Sequence, residues 1–309
     1  NFTYCDSDGN GTNGGLSFNT ASLGTMTVLP PGANYCALQF PSSFTVSGGQ
    51  ATPSIFGRVY EDDAGVLTND PGAHASVVGQ VGFGPLSSDP TNNLAWLWYP
   101  TTFNVQVGSD DEYQGTFQAP YVGSATQFSY TYRFSVDGGT TYTPCDLDGN
   151  GTNAGLSLST AQLGTMTVNP NGAAPISIND VTLAEGNAGT TNFVFTVSLG
   201  GVSADTITAD IATADNTATL ANSDYSFNSQ NLSFAMGETS KTFTVLVNGD
   251  TAPEPNETFF VNLTNIVNAA PVDAQGMGTI TNDDDVCTLY TFPYTMTGNT
   301  PAELVQAIT

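Results

Sequence analysis

Asp146, Asp148 and Asn150 alternate through the run DLDGNGT at 146–152, and Asp6, Asp8 and Asn10 repeat the arrangement in DSDGNGT at 6–12. Alternating side-chain oxygens followed by a glycine suit a hard cation such as calcium, which needs several oxygen ligands drawn together by a sharp turn. The twelfth position of such a loop, where a bidentate acid completes the shell, is Ser157. Two readings stay open: a reduced calcium loop, or a plain Asx/Gly turn, which favours the same residues. Asn10 and Asn150 also fit the N-x-T glycosylation pattern, although a ligating side chain cannot carry a glycan. Catalytic signatures are lacking. The single histidine, His74, lies in a Gly/Pro/Ala loop, and no nucleophile elbow, phosphate loop or metalloprotease motif occurs. The expectation is a protein that is not an enzyme.

The second half of the chain carries acids in another order. AEG supplies Glu185, and the Asp-Tyr pair of NSDYSF supplies Asp224. GDTAPEPNETF supplies Asp250, Glu254 and Glu257, and the closing run GTITNDDD supplies Asp283, Asp284 and Asp285. Together with ISINDVTL and NFVFTVSL before them, these motifs resemble the Calx-beta domain over nearly all of residues 176–285. That family is the calcium-binding β-sandwich of sodium–calcium exchangers, integrin β4 and many bacterial surface proteins. The resemblance implies that these eight acids gather at one end of the sandwich to hold Ca2+. It departs from the strongest binders at Asn248-Gly249-Asp250, where consecutive aspartates are the pattern. The loop at 146–152 lacks flanking helices and so is no EF-hand; a reduced loop like those of dockerin or thrombospondin repeats is the closer comparison.

These chemical groups need a scaffold, and the chain repeats one. Cys5–Val28 and Cys145–Val168 agree at 19 of 24 aligned positions, which marks one structural piece used twice. Residues 1–30 then read as the closing strands of one module and 34–169 as a complete copy. Asn169–Pro175 reads as a linker, 176–285 as the Calx-beta-like sandwich, and 286–309 as the start of a further module. The copy at 34–169, with AWLW, TFNVQVGSDDEY, YRFSVDGG and CDLDG in order, resembles an all-β module of large secreted bacterial surface proteins.

Strand alternation pervades both halves, bounded by Gly, Pro, Asn and Asp. Phe193, Phe195, Val197 and Leu199 predict one buried face, and so do Phe243, Val245 and Val247. Phe103, Val105 and Val107 predict another, and Phe128, Tyr130, Tyr132 and Phe134 a fourth. The fold class expected is all-β: tandem Ig-like β-sandwich modules. Trp96 and Trp98 share a strand face, either as core or as an exposed platform for stacking on sugar rings. Asp110, Asp111 and Glu112 form a further acidic stretch that either adds ligands or faces solvent.

Four cysteines suggest an oxidising compartment. Pairing a module's first strand with its last gives Cys36–Cys145, leaving Cys5 and Cys287 for partners in another module or another chain. A net charge of −25, from 28 acids against three basic residues, disfavours nucleic acid and anionic membranes as partners. No apolar run is long enough to span a bilayer. The sum points to a structural, calcium-stiffened extracellular protein at a bacterial cell surface: a fibre or filament subunit, or an adhesin stalk. Its partners would be neighbouring copies or modules of the same protein, joined head to tail. The rival readings are a carbohydrate- or cell-surface-binding module, with polysaccharide as partner, and an accessory region of a large secreted enzyme.

Overall fold

A computed structural model describes residues 32–61, 68–91, 93–147 and 158–284. Nineteen strands and one 3-10 turn, Thr160–Gln162, occur among these residues. The chain divides into two units. Of the described residues, the first takes those within 32–44, 52–117 and 127–167, and the second those within 45–51, 118–126 and 168–284. Each sandwich is described separately.

The first sandwich opens with β1 (Tyr35–Phe40), β2 (Ser43–Ser47), β3 (Ile55–Tyr60), β4 (Val78–Pro85) and β5 (Leu97–Pro100). It continues with β6 (Thr102–Val107), β7 (Asp110–Gly115), β8 (Thr126–Ser135), β9 (Thr143–Pro144) and β10 (Gly164–Asn169). One sheet has the order β1-β3-β7-β6; the other is β2-β10-β8-β4-β5, with β9 on β8. Its core is aromatic. Phe128, Tyr130, Tyr132 and Phe134 are all buried, as their alternation predicts. The phenols find backbone acceptors, Tyr132 donating to the Ile55 carbonyl at 2.7 Å and Tyr113 to that of Val77 at 3.3 Å. This satisfies the polar tip that burial would otherwise leave bare.

Two details differ from the sequence pattern. The expected face through Phe103, Val105 and Val107 is broken by a bulge between Phe103 and Val105, and Val105 is exposed. An extra residue shifts which side chains face inward. On β8 the intervening Ser129, Thr131 and Ser135 are buried as well, because a stack of rings lies on the sheet's other face. Trp96 stacks on Trp98 at 5.4 Å, and the Arg133 guanidinium lies 4.2 Å from the Trp98 ring and 4.3 Å from that of Tyr142. Gly82 and Gly84 make room, since a Cβ at either would come within 2.6 Å of an indole.

Cys36 on β1 is joined to Cys145, just after β9, with Cα atoms 5.4 Å apart. The bond ties the two sheets together. Cys145 precedes the last strand, β10, rather than lying in it. Cys5 and Cys287 lie outside the described residues, as do the segments 1–30 and 286–309.

The second sandwich runs through β11 (Ala174–Ile178), β12 (Val181–Ala184), β13 (Gly189–Leu199), β14 (Ile207–Asp215) and β15 (Ser229–Phe234). It closes with β16 (Ser240–Gly249), β17 (Glu257–Val267), β18 (Ala269–Asp273) and β19 (Gln275–Thr281). The sheets are β16-β13-β11-β18 and β12-β19-β17-β14-β15. Phe193, Phe195, Val197, Phe243, Val245 and Val247 meet Ile207, Ile211, Phe259, Val261 and Ile280 in one buried cluster. β11 starts at Ala174, inside the stretch the sequence reads as a linker. Pro175 is accommodated at the second position of that strand, before its pairing with β13 begins at Ile176, where a missing N–H is tolerated.

Candidate metal centre

Strand direction gathers the acids. β12 and β19 run parallel, with Ala184 beside Thr281, so Glu185 and Asp283–Asp284 leave the same end. β17 is antiparallel to β19 and begins there at Glu257. Gly249, the last residue of β16, pairs with Gly189 at the start of β13, bringing Asp250 to that end. β14 runs antiparallel to β17, so the loop after Asp215 delivers Asp224 there too.

Carboxylate oxygens of Asp224, Glu254 and Glu257 lie within 4.8 Å of one another. Calcium–oxygen distances are about 2.3–2.6 Å, so one ion touching all three would hold them at about this spacing. Asp224 is fixed from both sides. Its Oδ2 accepts the Thr219 N–H at 2.7 Å, and the adjacent Tyr225 is anchored by its ring on Phe259 (4.7 Å) and its hydroxyl on Asp215 (2.6 Å). Glu257 sits high for a carboxylate, through burial first and then the neighbouring Asp224 and Glu254.

Glu185 lies beside this triad and is only 5% exposed. Burial, then repulsion from Glu254, Asp250, Asp284 and Asp283 in that order, pushes its carboxyl up to about 7. Asp283 accepts the Gly186 N–H at 3.1 Å, and Asp284 accepts from the Asn187 amide at 2.6 Å. The other oxygen of Asp284 is buried without a partner. Seven of the eight predicted acids therefore meet at one end, with Glu254 next to both groups; Asp285 lies outside the described residues. No base offsets them among the described residues: Lys241 pairs with Glu238, Arg58 with Glu112, and Arg133 donates to Gln80. Crowded acidic oxygens, an orphaned buried oxygen and no basic partner fit calcium chemistry.

The motifs also hid some positioning residues. Asn282 accepts the Glu254 N–H at 3.1 Å and donates to the Asp284 carbonyl at 2.8 Å, while Asn256 accepts the Asn282 N–H at 3.0 Å. These amides latch the PEPNET loop to the closing acidic run. Gly186 has φ +88°, the left-handed turn that AEG requires. Gly249, where the sequence pattern looked deficient, has a steric cause: a Cβ there would stand 1.9 Å from the Gly186 carbonyl oxygen. Gly249→Ala is expected to destabilise the second sandwich by about 1–3 kcal/mol and to weaken calcium binding, read by melting and calorimetry. Unchanged values for both would show that this contact does not shape the site.

The remaining sequence candidates sit elsewhere. Asp146 is nearly buried, and its Oδ2 accepts the Ser159 N–H at 3.0 Å. Its loop partners Asp148 and Asn150, and the copy Asp6, Asp8 and Asn10, lie outside the described residues. The sugar-platform reading of Trp96 and Trp98 is corrected. Trp96 is 4% exposed with its Nε1–H donating to Ser88, and Trp98 is engaged in the ring stack. Of the second acidic stretch, Asp111 does not face solvent but is fully buried.

Residues 170–285 match the family model of the Calx-beta domain, and the second sandwich is such a domain. Among solved structures, the apo-form Calx CBD1 domain is 23% identical, covering 36% of this chain and 99% of that one, with a TM-score of 0.33. CBD12 from CALX1.2 is 11% identical and covers 79% and 99%, with a TM-score of 0.33. The calcium binding domain CBD12 of CALX1.1 is 16% identical and covers 75% and 80%, with a TM-score of 0.28. No curated protein matches the chain.

Proposed function

We propose that this chain is a calcium-stabilised structural segment of a modular bacterial surface protein, a fibre or filament subunit or an adhesin stalk, working outside the cell. The observation that carries the reading is the Asp224–Glu254–Glu257 triad with oxygens within 4.8 Å. Asp224, Glu254 and Glu257 would hold one ion, and Glu185, Asp250, Asp283 and Asp284 would hold a neighbouring one. Bound calcium supplies positive charge; it does no chemistry on a substrate. The chain leaves β19 through Asn282–Asp284, so an ion there fixes the exit toward residues 285–309. Stiffness along a string of modules follows from that.

The Cys36–Cys145 bond favours an oxidising, extracellular setting. A structural role is favoured over catalysis because the acids crowd a largely solvent-facing sandwich end rather than an apolar cleft. Neighbouring copies joined head to tail are the partners this role requires. Electron microscopy of native material with calcium and after EGTA tests it. Straight fibres or rods that become flexible in EGTA are expected; discrete particles indifferent to EGTA would rule it out.

A further inference from the structure

The first sandwich contains a buried acid for which none of the preceding accounts has a use. Asp111 on β7 is 0% exposed, and neither of its carboxylate oxygens has a hydrogen-bond partner. Register explains its position: it lies opposite Val59 of β3 and shares the inward face with Tyr113. Its other cross-strand neighbour is Gln106 of β6, whose Oε1 is likewise buried and unpartnered. That amide cannot simply be flipped, because Nε2 donates to the carbonyls of Thr68, Gly108 and Asp110. Three buried acceptor oxygens thus sit on two cross-strand neighbours, and none receives a hydrogen bond. Unpaired polar groups so placed are costly.

More negative charge lies nearby. Glu61, also 0% exposed, follows the end of β3 two residues beyond Val59, on the parity of that strand's inward face and so at a diagonal position to Asp111. Its Oε2 accepts the Asn34 N–H at 3.1 Å. Arg58, next to Val59 in sequence, belongs to the opposite face and pairs with Glu112 at 3.7 Å.

We propose that Asp111 and Gln106, with Glu61 beside them, form a second cation site buried in the first sandwich. An all-oxygen set of one or two carboxylates and an amide carbonyl suits calcium, which tolerates irregular shells, better than magnesium, which demands a near-ideal octahedron. The site is independent of the acidic end of the Calx-beta domain.

The test counts calcium bound to the full chain by native mass spectrometry and follows hydrogen exchange at residues 106–113. It compares the wild type, Asp111→Asn, and a triple variant (Asp224→Asn, Glu254→Gln, Glu257→Gln) that removes the carboxylates of the triad in the other sandwich. Asp111→Asn is expected to bind one ion fewer than the wild type. In the wild type and the triple variant, calcium at tenfold its Kd is expected to slow exchange at 106–113 by roughly tenfold, and in Asp111→Asn it is expected to have no effect. An unchanged ion count in Asp111→Asn overturns the proposal. So does a calcium-independent rise in its melting midpoint, the signature of a neutral carboxyl bonded to Gln106. Should Asp111→Asn not fold, the triple variant decides alone: calcium-dependent protection at 106–113 supports the site, and its absence overturns it. Because exchange is read only at 106–113, in the first sandwich, and the triple variant leaves those residues untouched, failure here is distinguishable from failure of the proposed function.

Discussion

Transfer from EGTA to calcium at a hundredfold excess over its Kd is expected to stabilise the second sandwich by about 2.7 kcal/mol per ion, or roughly 10 °C for a domain of this size. The argument starts from repulsion. Carboxylates about 5 Å apart repel by roughly 3 kcal/mol per pair at an effective dielectric of ~20, less where water reaches them. No base among the described residues relieves the cluster at Asp224, Glu254 and Glu257. The pH dependence has a definite sign. Glu185 ionises near 7 in the folded chain against an ordinary 4.5, so between those values the folded state keeps a proton that the unfolded state has lost. The metal-free domain should therefore lose stability as pH rises from about 4.5 to 7. Calcium needs the same groups ionised, so its stabilisation should grow over that window. Calorimetric melts in EGTA and in calcium, at pH 5 and pH 8, are expected to diverge with pH. Coincident curves at both values would remove calcium from the account of this domain.

The acidic end was legible in the sequence because its motifs are local and their order matches a chain of strands whose ends coincide. The core faces of β13 and β16 were legible for a similar reason: strict alternation in Phe193–Leu199 and Phe243–Val247 leaves a strand little choice. What escaped depended on contacts between distant segments. Gly249 looked like a weakness in an acidic pattern until the approach of the Gly186 carbonyl gave it a steric cause. Ser129 and Thr131 are the polar residues that alternate with the inward rings of β8, yet they too are buried, because the stack of Trp96, Trp98, Arg133 and Tyr142 covers that face.

Asp111 shows a signal that was present and outweighed. It shares the parity of Tyr113, an inward residue, but three consecutive acids suggest a loop, and a loop has no inward face. The strand runs through them all the same, since β7 is central and pairs with both β3 and β6. The bulge between Phe103 and Val105 escaped for a related reason: an extra residue in one strand is visible only against its partner.

Replacing both Cys36 and Cys145 by alanine is expected to destabilise the first sandwich by about 4–5 kcal/mol, the chain-entropy value for a bond closing a 109-residue separation. Against a typical domain stability of about 5–15 kcal/mol, that is roughly a quarter of the whole or more. Alanine suits the test because the two residues are 1% and 2% exposed, and a free thiol or serine would add a polar group to the same site. The bond joins β1 to the segment after β9, which pairs with β8, so its loss frees one sheet from the other in the unfolded chain while native contacts persist. The effect should stay local. In a calorimetric scan the first unit's transition should fall or vanish, while the calcium-dependent transition of the Calx-beta domain keeps its midpoint. Burial adds a kinetic corollary: reductant alone should leave the bond intact, and reductant with denaturant should break it. A double variant whose first transition stays in place would mean that the aromatic core, not the cross-link, holds the two sheets together.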